Sequence, residues 1–302
     1  MQTTSHLLMI RPVNFSFNAE TAVNNAFQSA ATEGAQQQAL QEFEGFVSLL
    51  KENDVDVTVI EDTPEPYTPD SIFPNNWISF HESGIVCLYP MYATNRRRER
   101  KPGVLEELSK KFHIQSTLDF SGYEAQGLFL EGTGSMVLDR DRRIAYACLS
   151  PRTDRQVLLD FCEKMDYLPE VFTAVDGKGQ PVYHTNVVMC VADRYVVICL
   201  DAVPDPVENE NLTRTIQNSG KEIVAITLSQ MNQFAGNMLQ VQNLRGEKLL
   251  VMSSQAYASL NPEQIVRLTG FNRILHAPLT TIETNGGGSA RCMLAEIHLE
   301  QR

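Results

Sequence analysis

The alternation of apolar and polar residues divides the chain into strands, helices and hairpins that follow one another in a fixed order. The apolar run at residues 7–12 predicts a strand, and the polar, Ala- and Gln-rich residues 20–52 predict a long helix. The alternating, β-branched residues 55–62 predict a second strand. After a Pro-rich loop, residues 76–92 predict a hairpin.

This order of helix, strand, loop and hairpin recurs with a period of about 50–60 residues. The later helices are predicted at residues 96–112, 153–165, 206–219 and 261–270, the strands after them at residues 113–120, 168–175, 222–228 and 273–279, and the hairpins at residues 135–150, 186–203 and 237–254. The fifth unit ends in a single strand at residues 292–299. The first strand of the chain can pair with it, which would remove an exposed sheet edge and close a ring.

The repeat predicts a single α/β domain over residues 1–302. We expect a five-bladed propeller of αβββ-like units, closed by the N-terminal strand. An open α/β sheet is the alternative, but a hairpin after each helix and strand fits it poorly. In a ring of equivalent units, the loops that precede the hairpins point to the same end of the axis.

Those loops hold an unusual set of polar side chains. They are Asp70, Asn75 and Asn76 in the first loop, Glu131 in the second, His184 and Asn186 in the third, Asn237 in the fourth, and Cys292 in the fifth. Each residue alone has an ordinary structural explanation, such as a buried cysteine, a satisfied histidine or a turn residue. Their common position in the repeat favours one shared site with a thiol nucleophile and a general acid/base.

The fifth loop carries the run NGGGSARC, Asn285–Cys292. Each glycine costs about 1 kcal/mol inside a helix or strand, so the run predicts a tight loop that another group approaches closely. Backbone N–H groups of such a loop can stabilise a thiolate at its end.

Composition narrows the choice of partners. A net charge of −12 over 302 residues argues against nucleic acid or an anionic membrane and is compatible with a cationic or zwitterionic small molecule. Of the six cysteines, five lie inside apolar runs, and none shows a CxxC pair or zinc spacing. Without a signal peptide or an apolar run of membrane-spanning length, we expect a reduced, cytoplasmic protein.

Several other site classes have no motif in this chain. GxGxxG after a strand, a phosphate-binding loop and a GxSxG elbow do not occur. His and Cys are too dispersed to predict a metal site. The basic run at residues 96–101 is a solvated helix start, or it faces an anion such as a substrate carboxylate.

The loop motifs resemble those of the pentein superfamily of guanidino-group-modifying enzymes. That superfamily includes arginine deiminase, dimethylarginine dimethylaminohydrolase, agmatine deiminase and the amidinotransferases. The run Gly286–Cys292 is similar to its nucleophile motif, and PDSIFPNN at Pro69–Asn76 is similar to its substrate-binding segment. EGTGS at Glu131 resembles its acidic motif and HTN at His184 its His-x-Asp motif. The most similar subgroup is the citrulline-utilisation-type hydrolases.

The resemblance implies a propeller fold and covalent chemistry that requires no metal or organic cofactor. Cys292 would attack the central carbon of the substrate group, and His184 would protonate the leaving nitrogen and then deprotonate water. Asp70 and Glu131 would hold the substrate N–H groups, and Glu131 would favour protonated His184. SPRTD and RRRE resemble segments whose arginine binds a substrate carboxylate. The arginines chosen from these two segments are Arg152 and Arg97. The expected substrate-binding residues are therefore Asn75, Asn76, Arg152, Arg97, Asn186, Asn237 and Gly287.

Amides stand at Asn75–Asn76, where the dimethylarginine dimethylaminohydrolases have carboxylates, and at Asn186, where the superfamily usually has an aspartate. Carboxylates suit a cationic guanidinium, whereas an amide can also donate to the carbonyl oxygen of a neutral ureido group. The sequence therefore favours hydrolysis of citrulline to ornithine over that of arginine or methylarginine. An amidinotransferase and a non-catalytic binding module are the alternatives, and a homodimer is compatible with the sequence.

Overall fold

The computed structural model describes residues 1–29 and 34–302. Its strands are β1 (His6–Arg11), β2 (Asp56–Glu61), β3 (Ile78–Phe80), β4 (Ile85–Leu88), β5 (Ser116–Asp119), β6 (Val137–Asp139), β7 (Ile144–Cys148), β8 (Leu168–Phe172), β9 (Met189–Val191), β10 (Tyr195–Ile198), β11 (Glu222–Ala225), β12 (Leu239–Gln242), β13 (Lys248–Ser253), β14 (Arg273–Ala277) and β15 (Ala295–Glu296). Its α-helices are α1 (Ala19–Ala22), α2 (Ala35–Glu52), α3 (Pro102–Ser109), α4 (Gly132–Ser135), α5 (Arg155–Met165), α6 (Thr185–Val188), α7 (Pro206–Asn218), α8 (Leu228–Met231), α9 (Ser254–Ser259) and α10 (Pro262–Thr269).

The described strands form five three-stranded sheets with one shared topology. In each sheet the middle strand pairs antiparallel with one neighbour and parallel with the other, as in β3–β4–β5 and β6–β7–β8. Parallel neighbours need a crossover connection, and a helix such as α3 or α5 supplies it. Each single strand therefore joins the hairpin before it. The predicted grouping with the following hairpin, αβββ, is wrong, and the unit is ββαβ.

Segments near the two ends of the chain meet in one sheet, in the order β15–β1–β2. Leu7 of β1 lies opposite Glu296 of β15, and β1 runs parallel to β2. The predicted pairing of the N-terminal strand with the last strand is confirmed. β15 is shorter than the predicted strand at residues 292–299, and the first two of those residues belong to the 3₁₀ turn Ala290–Met293.

The helix predicted over residues 20–52 is two separate elements. α1 is a single turn after Asn18, whose side-chain oxygen accepts the N–H of Glu20. Residues 23–29 are turns and irregular backbone, and α2 follows Gly34, which has a left-handed φ of 81°. Residues 30–33 of the predicted helix lie outside the described part of the chain.

The helix predicted over residues 96–112 is interrupted at its proline. Arg96–Glu99 form a 3₁₀ turn, and α3 begins at Pro102. Proline suits the first position of a helix but disfavours helical backbone at the residue before it.

The apolar faces of the helices pack on the sheets. α2 buries Phe43, Phe46 and Leu50, whose spacing of three and four residues places them on one helix face. These side chains join a core cluster that also contains Leu7 and Cys292. No helix in the described ranges is long and apolar enough to cross a membrane.

Four short helical turns stand at equivalent positions, directly before the first strand of a sheet. They are Pro74–Asn76 before β3, α4 before β6, α6 before β9, and Ala290–Met293 before β15. α4 contacts both Pro74–Asn76 and α6, and Pro74–Asn76 contacts Ala290–Met293. The loops that carry the predicted chemistry are therefore neighbours in space.

Candidate active site

The short turns hold buried polar side chains against one another. Glu131 and His184 stand directly before α4 and α6, Asn76 ends its turn, and Cys292 lies within Ala290–Met293. Glu131 is 0% exposed and His184 1% exposed. Polar groups buried this deeply need partners inside the protein, so their contacts define the site.

Glycines allow the turns to approach one another. Gly132 has a φ of +46°, and a Cβ on it would lie 2.3 Å from the backbone oxygen of Asn75. A Cβ on Gly134 would lie 2.4 Å from Nδ2 of Asn76 and 2.8 Å from the His184 ring. The EGTGS segment thus brings these side chains against a bare backbone.

Glu131 and His184 share a hydrogen bond of 2.8 Å between Oε2 and Nε2. The second oxygen of Glu131 accepts the backbone N–H of Tyr92 at 3.0 Å. The guanidinium groups of Arg152 and Arg96 lie 3.5 and 4.0 Å from Oε2. Burial acts to raise the pKa of Glu131, but Arg152, His184 and Arg96 lower it to about 2. Glu131 is therefore ionised.

His184 is neutral at physiological pH. Burial is the largest cause that lowers its pKa, to about 4. Glu131 acts in the opposite direction, while Arg152 and Arg96 lower the pKa further. The expected Glu131–His184 contact is present, and Glu131 acts to raise the pKa of His184 as expected, but burial and the two arginines outweigh it. A neutral imidazole can accept a proton from a nearby acid.

Asp70 and Asn76 each keep one polar atom without a partner among the described residues. Oδ2 of Asp70 accepts hydrogen bonds from Asn18 at 2.8 Å and Thr21 at 3.1 Å, whereas Oδ1 has none. Oδ1 of Asn76 accepts Nη1 of Arg96 at 2.8 Å. Because a guanidinium only donates, this bond fixes the Asn76 amide and leaves Nδ2 as an unpartnered donor.

Arg152 is buried beside the Glu131–His184 pair. Its Nε and Nη2 both donate to Oδ1 of Asn24, at 2.8 and 2.5 Å. Nη2 also donates to the carbonyl oxygen of Thr21, at 2.7 Å. The guanidinium fork, which suits a carboxylate, therefore holds a side-chain amide oxygen of the same chain.

Arg96, and not Arg97, enters the site. Arg96 is 2% exposed, donates to both oxygens of Glu99 at 2.9 and 3.0 Å, and lies 3.9 Å from Asp70. Arg97 donates instead to the backbone oxygen of Met91 at 3.0 Å. The 3₁₀ turn at Arg96–Glu99 decides which arginine points inward, and the sequence pattern contains no sign of that turn.

The sulfur of Cys292 contacts two amides. Nδ2 of Asn237 lies 3.3 Å from Sγ, and Nδ2 of Asn186 lies 3.6 Å from it. Both residues are buried. In the described part of the chain, the hydrogen bond of the His184 ring is made to Glu131 and none joins it to Cys292.

The glycine run is packed from both sides. Gly287 has a φ of +65°, and its carbonyl oxygen accepts the hydroxyl of Tyr183 at 2.5 Å and Nδ2 of Asn25 at 3.2 Å. A Cβ on Gly286 or Gly288 would lie 2.9 Å from the Phe73 ring. The predicted tight loop with close neighbours is present.

One narrow cavity joins these groups. Its polar lining includes Asp70, Asn76, Arg96, Arg152, His184 and Cys292, and residues of the glycine run complete it. Glu131, Asn186 and Asn237 stand behind the lining, in contact with His184 or Cys292. Asn75 and Arg97 lie outside the lining.

The sequence pattern did not identify the segment Asn18–Asn25 as part of the site. Thr21 and Asn25 line the cavity, Asn18 bonds Asp70, and Asn24 bonds Arg152. Four asparagines lie in or near this stretch, at positions 14, 18, 24 and 25. Because asparagine is a poor helix former, they are the available signal that this stretch is not part of a long helix. Tyr183, which contacts the glycine run, was also not identified, and its position beside His184 was the hint.

The donor set does not suit a metal ion. No group of three or more His, Cys, Asp or Glu that could hold one occurs within residues 1–29 and 34–302. The site instead combines a thiol, a neutral imidazole on a carboxylate, and two buried guanidinium groups. Such a set can perform nucleophilic attack with proton transfer.

A known family matches most of the chain. Residues 11–299 match the family model described as N,N dimethylarginine dimethylhydrolase, eukaryotic. No curated protein matches the chain.

Solved structures share the fold at low identity. The N-terminal domain of ArgZ, an arginine dihydrolase from the ornithine-ammonia cycle in Cyanobacteria, was solved with its substrate. It is 18% identical, with 98% of each chain covered and a TM-score of 0.77. AgrE in complex with ornithine and NAD+ is 19% identical, with 98% of this chain and 40% of that chain covered and a TM-score of 0.77. A dimethylarginine dimethylaminohydrolase adduct with S-methyl-L-thiocitrulline is 15% identical, with 98% and 100% covered and a TM-score of 0.65.

Proposed function

Because the chain belongs to the N,N dimethylarginine dimethylhydrolase family, we propose that it is a cysteine hydrolase acting on the C–N bonds of a guanidino or ureido amino acid. The observation that carries the proposal is the position of Cys292, His184 and Asp70 around one narrow cavity, with Glu131 hydrogen-bonded to His184. The five equivalent sheets support the companion proposal that residues 1–302 form a single five-bladed propeller domain.

The chemistry begins with proton transfer to the imidazole. Neutral His184 takes the proton of the Cys292 thiol, and the thiolate attacks the central carbon of the substrate group. A C–S bond forms, and the C–N bond breaks as His184 returns the proton to the leaving nitrogen. Water then attacks the carbon of the covalent intermediate while His184 accepts its proton. The C–S bond breaks, and His184 returns that proton to the departing sulfur, which regenerates the thiol and releases the second product.

Glu131 supports both proton transfers. Its carboxylate accepts the Nε2–H of His184, and its negative charge stabilises the imidazolium that forms in each step. That bond leaves Nδ1 of the ring as the atom that exchanges protons. Nδ1 also lies beside the bare backbone of Gly134.

The unpartnered atoms of the cavity favour a ureido group. Oδ1 of Asp70 is an acceptor for a substrate N–H, and Nδ2 of Asn76 is a donor for a carbonyl oxygen. A ureido group offers both partners, whereas a guanidinium has no acceptor. We therefore propose citrulline as the preferred substrate. The carbamic acid that water releases from the sulfur loses carbon dioxide, so the final products are ornithine, ammonia and carbon dioxide.

The substrate carboxylate has a defined place in this scheme. The fork of Arg152 currently holds Oδ1 of Asn24 with two donors. A carboxylate would replace that amide oxygen, because a bidentate pair with an anion is stronger than one with a neutral acceptor.

A product assay on the purified protein tests the proposal. Citrulline, arginine and dimethylarginine are incubated in parallel, and ornithine, citrulline, ammonia and released methylamines are measured. We expect ornithine from citrulline, and none from the Cys292→Ser variant at unchanged circular dichroism. Turnover of arginine to citrulline or ornithine, without any turnover of added citrulline, would overturn the preference for a ureido substrate. Full activity of Cys292→Ser would overturn the nucleophile.

A further inference from the structure

Asn237 stands closer to the reacting sulfur than any other hydrogen-bond partner of that atom in the described structure. Its Nδ2 lies 3.3 Å from Sγ of Cys292, and Nδ2 of Asn186 lies 3.6 Å away. The sequence placed both amides among the groups that bind substrate. In the structure both amides contact the sulfur of Cys292.

The orientation of the Asn237 amide is fixed by two backbone groups. Oδ1 accepts the N–H of Arg291 at 3.1 Å, and Nδ2 donates to the carbonyl oxygen of Asn186 at 2.9 Å. A backbone N–H only donates and a carbonyl only accepts, so the amide cannot be reversed. Its second N–H therefore faces the sulfur. The amide oxygen lies farther from Sγ, at 3.6 Å.

The anchors of this amide are themselves immobilised. Arg291 precedes Cys292 in the same turn, and its side chain donates to Glu296 at 2.6 Å and to the carbonyl oxygen of Leu294 at 2.7 Å. On the other side, a Cβ on Gly236 would lie 2.1 Å from the carbonyl oxygen of Val187. Asn237 is thus held between the turn of Cys292 and α6, which contains Asn186 and Val187.

A hydrogen-bond donor in this position stabilises the thiol, the thiolate and the covalent intermediate of Cys292 to different extents. A hydrogen bond to an anion is stronger than one to a neutral acceptor, so the amide favours the thiolate over both the thiol and the covalent intermediate. The hydrogen bonds of His184 and Arg152 are made to other partners. Among the described residues, the two amides are the side-chain donors in contact with the sulfur.

We propose that Asn237 is a catalytic residue that stabilises the Cys292 thiolate through Nδ2, with Asn186 as a second, weaker donor. For turnover this inference rests on the proposed function. For the reactivity of the thiol it does not, since alkylation of the sulfur requires no substrate.

The test is the rate of alkylation by iodoacetamide as a function of pH, with the wild type, Asn237→Ala, Asn237→Asp and Asn186→Ala. Asn232→Ala, an exposed asparagine five residues earlier in the chain, is the matched control. Peptide mass spectrometry assigns the adduct to Cys292. Circular dichroism shows which variants fold. If neither Asn237 variant folds, Asn186→Ala still tests the inference.

We expect alkylation of Asn237→Ala at neutral pH to fall about 10- to 100-fold, the range given by hydrogen bonds to charged groups. The midpoint of its pH profile should move upward by one unit or more. Asn237→Asp should fall further, Asn186→Ala less, and Asn232→Ala should match the wild type. A purely structural role would change unfolding but not the pH midpoint.

Profiles of Asn237→Ala and Asn186→Ala that coincide with the wild type would overturn the inference. Failure of the proposed function has a different signature. In that case the wild type would turn over none of the three substrates, while its Cys292 would still show alkylation that depends on Asn237.

Discussion

Replacing Glu131 with glutamine removes the negative charge that touches both His184 and Arg152. Its two oxygens accept from Tyr92 N at 3.0 Å and His184 Nε2 at 2.8 Å. Glutamine has a single acceptor oxygen, so one of these donors must face an NH₂ group. The guanidinium of Arg152, 3.5 Å away, also loses its counter-charge.

The cost of this substitution follows from the pKa of the carboxyl. Folding lowers the pKa of Glu131 from 4.5 to about 2, and one pKa unit is worth about 1.4 kcal/mol. The ionised carboxylate thus contributes about 3 kcal/mol to the free energy of unfolding. Removal of one partner from a buried ion pair gives a similar figure, about 3–5 kcal/mol.

The sign of the pH dependence is fixed by the lowered pKa. The contribution of Glu131 is fully present above pH 4.5 and is lost as the pH falls toward 2. Urea denaturation at pH 7 and pH 3 measures it, because urea leaves charges unscreened. We expect Glu131→Gln to be less stable than the wild type by about 3 kcal/mol at pH 7, with the gap narrowing at pH 3.

Activity provides the second readout of the same variant. Without the carboxylate, the imidazolium that forms on His184 is no longer stabilised, and we expect kcat to fall by about 10²–10⁴-fold. Glu124→Gln is the control, since Glu124 pairs with Arg100 outside the cavity lining, and it should retain activity. Equal stability of Glu131→Gln and the wild type at pH 7, or a gap that does not depend on pH, would refute the reasoning.

Two further predictions concern the walls of the cavity. Gly134→Ala places a Cβ 2.8 Å from the His184 ring, and we expect at least a tenfold loss of kcat/KM. The control Gly103→Ala has open space around its Cβ and should behave as the wild type. Equal kinetics of the two variants would contradict the close packing at Gly134. Asn24→Ala removes the amide oxygen that accepts from Nε and Nη2 of Arg152, so the KM for citrulline should fall several-fold. A raised KM would show that Asn24 positions Arg152 and does not compete with the substrate.

The repeat made most of the fold predictable from the sequence. The hairpins and the helices α5, α7 and α10 follow from hydrophobic periodicity and turn residues. The pairing of β1 with β15 follows from the fifth unit, which lacks a hairpin partner. The assignment of each single strand to the preceding hairpin did not follow, because linear order does not reveal which neighbour a strand joins. Parallel pairing across a helix decides it.

The site was predictable where the sequence carries a motif. Glycines or turn residues flank Cys292, His184 and Glu131 at equivalent repeat positions, and the structure brings the three residues to one place. Arg96 was not separable from Arg97, since adjacent residues differ only in the direction set by one 3₁₀ turn. The neutral state of His184 depends on burial and on distant arginines, which no local pattern encodes.

The sheet β15–β1–β2 also has a consequence for biosynthesis. β1 leaves the ribosome long before β15, its antiparallel partner, so the nascent chain carries β1 with one edge unpaired while the other four sheets can already form. Contacts of such large sequence separation form slowly, and an unpaired edge invites aggregation. The turn that holds Cys292 precedes β15 directly. Incomplete chains therefore lack the thiol and its cavity. The reactive cysteine is synthesised only after the segments that surround it in the folded protein.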